Sequence, residues 1–295
     1  MKQEDREQED SCQRFIFEGL DMRGEVVKLN QSYTEILTNK EYPQAVRNLL
    51  GEFLAAAVLL STTVKFDGRL VLQARSEGQV PLIMAECTSE LHLRGIARYD
   101  DEPTSDSFGE LLRSGTLAIT IEPPRGEPYQ GIVPLEKSDL AACLEDYFTR
   151  SEQLETRFFL MADEHHCAGL LLQQLPAQLV TDPDAREEEW STVTQLASTL
   201  TGDELLNLGS EDVLYRLFHQ HQVKVFKPRD IAYQCSCSRE RTARALHAIG
   251  EVEIMDIYKE QGAVEISCEF CGKQYRFEEA ELRLLFESPT ENEMH

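Results

Sequence analysis

Along the chain, apolar positions gather in nine short stretches bounded by polar turn residues, and these read as β-strands. Arg14 to Leu20 and Glu25 to Leu29 read as the first two strands, around a turn at Asp21-Met22-Arg23-Gly24. Arg69 to Arg75, Pro81 to Glu86, His92 to Tyr99, Leu117 to Glu122 and Gln130 to Val133 follow, then Arg157 to Met161 and Gly169 to Gln173. The connections between them carry Gly, Pro, Asp or Ser, as turns require. Helical spacing interrupts this series three times. Ser32-Tyr33-Thr34-Glu35 has the form of a capping box opening a short helix. Pro43 opens a long one reaching about Thr63, with Val46, Leu49, Leu50, Phe53, Leu54 and Ala57 on its inner face. The small residues Ala55, Ala56 and Ala57 suggest that this helix packs closely on a sheet. Ser138 is placed to cap a third helix through Ala141, Ala142, Leu144 and Phe148. Residues 1–11 are polar and expected to fray. Residues 1–178 therefore read as one α+β domain, a mixed α/β core.

The pattern changes beyond Pro176. An acidic run containing Asp182, Asp184 and Glu187 to Glu189 precedes Trp190, Val193, Leu196 and Leu200 at helical spacing. Thr201-Gly202-Asp203-Glu204 is a second capping box, and Ser210 is placed to cap a helix presenting Val213, Leu214, Leu217 and Phe218. Each of these helices is too short to be stable alone, so its apolar stripe must lie against something else. Residues 179–228 are read as a helical linker, which Val223 to Phe226 closes as a strand.

The remaining chemistry is concentrated in residues 229–287, followed by a tail at 288–295. Ser238 to Ile249 and Glu251 to Glu260 read as helices closed by Gly250 and Gly262. Ala263 to Ser267 and Gln274 to Phe277 read as a hairpin, and Glu278 to Phe286 as a last helix. This segment carries two close cysteine pairs: Cys235-Ser-Cys237, then, after 30 residues, Cys268-Glu-Phe-Cys271-Gly272 at the hairpin turn. Four soft sulfur ligands form the set that tetrahedral Zn²⁺ takes. Cys268-x-x-Cys271-Gly272 is the stronger half, because two intervening residues let both sulfurs face one ion and the glycine permits the turn beneath it. Cys235-x-Cys237 is more tightly spaced than most structural zinc pairs.

Charge narrows the function. The net charge of −24 argues against nucleic acid and against an anionic membrane surface. Residues 229–295 carry 8 Lys and Arg against 14 Asp and Glu, a net of −6, so a nucleic-acid-binding zinc ribbon lacks its basic footprint. The charged N-terminus is unlike a signal peptide, and the longest apolar run, Phe53 to Leu60, is far short of the ~20 residues that span a bilayer. A cytoplasmic protein is expected, where paired cysteines point to metal or redox chemistry rather than to structural disulfides. A thioredoxin-like oxidoreductase is disfavoured, because Cys268-x-x-Cys271 sits between two strand-like runs rather than opening a helix. His165-His166-Cys167 reads as a solvated loop, and Cys12, Cys87 and Cys143 as structural thiols. There is no phosphate loop and no nucleophile elbow; nothing here reads as an enzyme active site.

Nearly the whole chain resembles the heat-shock protein 33 family, redox-regulated bacterial holdase chaperones. The most specific similarity is Cys235-Ser236-Cys237-Ser238-Arg239-Glu240-Arg241 with Cys268-Glu269-Phe270-Cys271-Gly272. Lys65-Phe66-Asp67-Gly68, Tyr129-Gln130-Gly131 and Leu140 to Leu154 extend it, while the loop at His165-His166-Cys167 departs from it. The resemblance implies that the four matching cysteines bind one zinc per chain when reduced and form two disulfides when oxidised. It implies that oxidation releases zinc, unfolds the linker and activates binding of unfolding client proteins, with a homodimer as the active form. Short loops close most readily, so Cys235 is expected to pair with Cys237, and Cys268 with Cys271. The linker residues expected to meet clients are Trp190, Val193, Leu196, Leu214 and Phe218. The competing expectation is a constitutively folded zinc-module adaptor for one native partner; apolar surface that appears only after oxidation separates the two.

Overall fold

The structure, a computed structural model, describes residues 10–64 and 66–287. Two six-stranded sheets enclose one helix. In the first sheet the strands β1 (Ser11–Phe17), β2 (Met22–Leu29), β9 (Cys167–Gln174) and β8 (Thr156–Ala162) follow one another. The short strands β10 (Val223–Val225) and β11 (Arg229–Asp230) pair with the free side of β1. The second sheet runs β12 (Ala232–Tyr233), β5 (His92–Arg98), β4 (Leu82–Thr88), β3 (Arg69–Arg75), β6 (Thr116–Glu122) and β7 (Tyr129–Pro134). All its pairings are antiparallel except that of β12 with β5.

Between the sheets lies α2 (Gln44–Thr63), which touches β2, β8 and β9 on one side and β3, β4 and β5 on the other. Leu49 to Leu60 are buried, apart from the partly exposed Glu52. By length and apolarity α2 is long enough to cross a membrane, yet most of it is enclosed here. Close approach is possible because Gly169 on β9 and Gly95 on β5 leave room for Leu59 and Leu54, respectively. Helices α1 (Gln31–Thr38), beside β5 and β12, and α4 (Leu140–Tyr147), beside β7 and β8, pack at the margins. A short α3 (Phe108–Leu111) and a π-turn at Phe148–Glu152 were not anticipated.

The outer face of the first sheet is covered by α5 (Pro183–Ala197), α6 (Gly202–Asn207) and α7 (Ser210–Phe218), the helices read from sequence as a linker. Phe15, Phe17, Met22, Val26, Leu170 and Leu172 meet Trp190, Val193, Leu205, Leu206, Leu214 and Phe218 in one apolar cluster. Phe218 contacts both Phe15 and Phe17, with ring centroids 6.1 and 5.1 Å apart. After α7 the chain is stitched to both sheets through β10, β11 and β12. Chain contacts divide the protein into two compact units, Met1–Gln234 and Cys235–His295.

Several local expectations need correction. The first turn lies at residues 18–21, not at 21–24: Gly24 is inside β2, where a Cβ would strike the Phe15 ring and the Leu171 carbonyl. Asp10 and Ser11, expected to fray, are ordered; Ser11 begins β1. Asp10 accepts from the backbone N–H groups of Asn30, Gln31 and Ser32, so a carboxylate distant in sequence caps α1 in place of the Ser32 box. Asp139 rather than Ser138 caps α4, accepting from the Ala142 N–H at 2.7 Å. Gly209, not Ser210, is the N-cap of α7. The Thr201–Glu204 capping box forms as expected. At His165-His166-Cys167 only the histidines lie in the loop; Cys167 opens β9 and is buried. The expected tail 288–295 lies outside the described residues.

Candidate metal and redox centre

In the second unit, Ser238 caps α8 (Arg239–Ile249) by accepting from the Arg241 N–H. Helix α9 (Glu251–Gln261) ends at Gly262 in the left-handed conformation. Strands β13 (Val264–Ser267) and β14 (Gln274–Phe277) form the expected hairpin, followed by α10 (Glu279–Glu287). Among the described residues its core is small, a cluster of Leu246, Ile254, Val264, Tyr275, Phe277 and Leu282. Arg239 lies over the Phe277 ring and donates to Glu281 at 2.6 Å, tying the start of α8 to α10.

The hairpin turn carries Cys268 and Cys271. Gly272 has φ +67°, and its N–H donates to the Cys268 carbonyl at 2.8 Å, while the Cys268 N–H donates to the Lys273 carbonyl. The backbone therefore curls beneath both sulfurs, as the Cys-x-x-Cys-Gly pattern requires. Cys235 and Cys237 arrive from the extended stretch before α8. Arg241 holds that stretch by donating to the Ser236 carbonyl and hydroxyl at 2.9 and 2.7 Å.

All four sulfurs lie within 4.8 Å of one another. Cys235 Sγ is 3.7 Å from Cys268 Sγ, and Cys237 Sγ is 3.4 Å from Cys271 Sγ. A tetrahedral site with Zn–S bonds of ~2.3 Å needs sulfurs about 3.8 Å apart. The cluster can hold a metal ion, and its all-sulfur donor set and spacing suit zinc.

Electrostatics separate these thiols from the others. Burial pushes Cys12, Cys87, Cys143 and Cys167 up, Cys87 to about 12, so they stay protonated and unreactive. In the cluster, burial also opposes ionisation of Cys237. It is outweighed by the Tyr275 hydroxyl, which donates to its sulfur at 3.1 Å, and by the neighbouring thiols; Cys237 falls to about 7. Cys271 is pushed up to about 12 by burial and by those same sulfurs. One negative charge is therefore shared first, and a cation would favour the remaining ionisations. Sequence reasoning missed Tyr275; its position four residues after Cys271, on the strand leaving the turn, was the available signal.

The five linker residues singled out from sequence are gathered on the first sheet: Trp190, Val193, Leu214 and Phe218 are buried there, and Leu196 packs against them partly exposed.

The sequence matches the Hsp33 protein family over residues 10–278. It is 50% identical over 280 residues to the 33 kDa chaperonin of Pseudomonas paraeruginosa, an alignment covering 94% of each chain. The 33 kDa chaperonin of Pseudomonas syringae pv. tomato is also 50% identical, over 94% of this chain and 93% of that one. In fold, the chain is similar to the crystal structure of the 33 kDa chaperonin (heat shock protein 33 homolog) of Thermotoga maritima. The TM-score is 0.79 at 23% identity, covering 94% of this chain and 98% of that one.

Proposed function

Given that this chain belongs to the Hsp33 family of chaperones, we propose that it is a redox-regulated holdase, inactive while its four clustered cysteines hold zinc and activated when they are oxidised. The observation carrying this proposal is the contrast among the thiols. Four converge at metal-binding distances in a unit with a minimal core, while the other four are buried and protonated. Bound zinc would keep all four sulfurs as thiolates and cross-link α8's leading strand to the β13–β14 turn.

A unit of roughly 60 residues is marginal on its core alone. Structural zinc supplies about 10–16 kcal/mol to such folds. Its loss is therefore expected to melt the second unit from Cys235 onward. For each disulfide, two thiols lose two protons and two electrons to one peroxide, which leaves as two waters. In the folded cluster the closest sulfurs are cross-paired, Cys235 with Cys268 and Cys237 with Cys271. Once the unit melts, loop closure favours the near neighbours, so we assign the disulfides as Cys235–Cys237 and Cys268–Cys271.

The linker, 179–228, is joined to this unit through the short strands β11 and β12. Its short helices depend on their seat on the first sheet, and release of that seat would present Trp190, Val193, Leu196, Leu214 and Phe218 to unfolding clients. The net charge of −24 would limit self-aggregation of the opened form. The proposed setting is the cytoplasm, with a dimeric active form.

Light scattering from an unfolding client tests the proposal. Peroxide-treated protein should suppress aggregation and reduced protein should not, with one zinc per chain released in parallel. Equal suppression by both forms would show a constitutive binder. Hydrogen exchange locates the switch: amides from Trp190 to Phe218 should lose protection on oxidation. If they stay protected while activity appears, clients bind elsewhere.

A further inference from the structure

Lys28 is the one buried cation among the described residues, with 4% of its surface exposed. It lies on β2, opposite Ser11 of β1 and Ala168 of β9, on the same side of the sheet as Met22 and Val26. Linker helix α6 closes over it. Its ammonium donates to the Leu205 carbonyl, an α6 acceptor close to the helix end, where carbonyls lack partners within the helix.

Among the described residues no carboxylate compensates the charge. On β2 itself, Glu25 interacts with Cys12, and Arg23 donates to Gln173 and to the Thr63 carbonyl. On β1, Arg14 lies against the Phe226 ring, and Asp230 of β11 is exposed. Asp10 is occupied at the start of α1. On α6, Glu204 is bound to Thr201 and to Arg216 of α7, and Asp203 to Asn207. Burial alone pushes Lys28 down, to about 8.

We propose that Lys28 primes the linker for release. An ammonium buried beneath α6 with a single neutral partner weakens the hold of α6 on the sheet, so the apolar cover is seated less firmly than its contacts alone would make it. This role rests on the linker being the element that opens. Two effects oppose each other at this site: the hydrogen bond to Leu205 favours docking, and desolvation of the charge disfavours it. Desolvation is the larger, because a neutral carbonyl restores little of an ammonium's hydration. Opening rehydrates Lys28, and its affinity for a proton rises again. Docking is therefore strongest above the open-state value near 10.5 and weakens as pH falls through about 8. Between pH 9 and pH 7 the docking equilibrium should fall roughly tenfold.

The chain's single tryptophan, Trp190, sits 5% exposed in the docked linker, so its emission reports docking directly. The experiment is a urea titration of reduced, zinc-bound, full-length protein at pH 7 and pH 9, followed by Trp190 emission, with hydrogen exchange to confirm that the linker alone has opened. Wild type should hold its linker more firmly at pH 9. Lys28→Met should tighten docking at pH 7 on the order of a hundredfold and remove most of the difference between the two pH values. A lower midpoint in Lys28→Met, or an unchanged one, would overturn the proposal, since Lys28 would then be a net tether or neutral. The pH dependence of wild type decides the question without any substitution, and its absence between pH 7 and 9 also overturns it. Oxidised wild type is the separate arm. If Trp190 stays buried after oxidation with activity present, the linker-switch proposal fails, while the titration of reduced protein still reports the role of Lys28.

Discussion

The first sheet buries both faces, and it does so by different means. Its inner face meets α2, a continuous 20-residue helix held between two sheets. Its outer face meets helices of 15, 6 and 9 residues. The inner face is apolar along most of α2, with the buried carboxyl of Glu25 accepting from Cys12 beside Thr62 near the helix's C-terminal end. The outer face mixes Phe15, Phe17 and Trp190 with a buried ammonium at Lys28 and an anchor at Asp21. Strands β1, β2 and β9 thus divide their alternating side chains between a core under one continuous helix and a cover of short pieces. Apolar area alone does not distinguish the two faces, and each buries one ionisable group, Glu25 inward and Lys28 outward; continuity of the covering helix does.

The largest test removes the metal cluster and asks which face responds. Cys268→Ser should abolish tight zinc binding and melt the second unit, given the ~10–16 kcal/mol a structural zinc contributes. Hydrogen exchange should show α8, α9 and the β13–β14 hairpin unprotected and α5 to α7 weakened, with α2 unchanged. Full protection of α8 and α9 in the metal-free variant would mean that the small core suffices without an ion.

Leu54→Ala probes the opposite face. Leu54 is fully buried on α2 and packs toward β5 beside Gly95. Its truncation should cost about 2–5 kcal/mol of global stability. Calorimetry should show the main transition lowered with zinc retained. A change confined to Trp190 emission would contradict the division of the sheet between a core under one helix and a cover of short pieces.

A smaller effect is expected at the root of the linker. Asp21 accepts from the N–H groups of Gln178, Leu179 and Val180 and from Arg186, which also donates to the Leu175 and Val180 carbonyls. Burial opposes its ionisation, but these donors outweigh burial and hold its carboxyl below the usual range. The stabilisation is present above the ordinary carboxylate value and is lost as pH falls through the lowered one. Asp21→Asn should weaken linker docking by about 1–3 kcal/mol at neutral pH. It should also flatten the acid-induced part of the Trp190 transition. An acid transition identical to wild type would assign it to other carboxylates.

How much of this was legible in the sequence follows from the range of the interaction concerned. β3 was read to the residue, since the apolar run in Arg69–Arg75 is local and bracketed by an arginine at each end. The cysteine cluster was legible because its spacing is itself the chemistry. The first turn was misplaced because Gly24 reads as a turn residue, whereas its role is to make room for a ring on the neighbouring strand. The caps from Asp10 and Asp21 act across 20 and more than 150 residues, beyond any local pattern. Lys28 was invisible for a related reason. A polar residue between Val27 and Leu29 looks like the solvent side of a strand, and only the return of the linker over that side buries it.

The smallest expected effect returns to the metal centre and to the side chain that sequence reasoning missed. Tyr275 is buried in the second unit's core, and its hydroxyl donates to Cys237 Sγ at 3.1 Å. Tyr275→Phe keeps the ring, and therefore the packing with Leu246 and Phe277, while deleting one hydrogen bond to a sulfur. The fold of the unit should survive, unlike that of Cys268→Ser. Loss of a group that orients a metal ligand typically costs 10–100-fold in affinity. One neutral donor among four sulfurs belongs at the low end, about tenfold. Competition with a chromophoric chelator measures this directly on the reduced protein. An unchanged zinc affinity would reduce Tyr275 to a core aromatic. A loss as large as that of Cys268→Ser, accompanied by unfolding, would show that the small core and the metal are not separable supports.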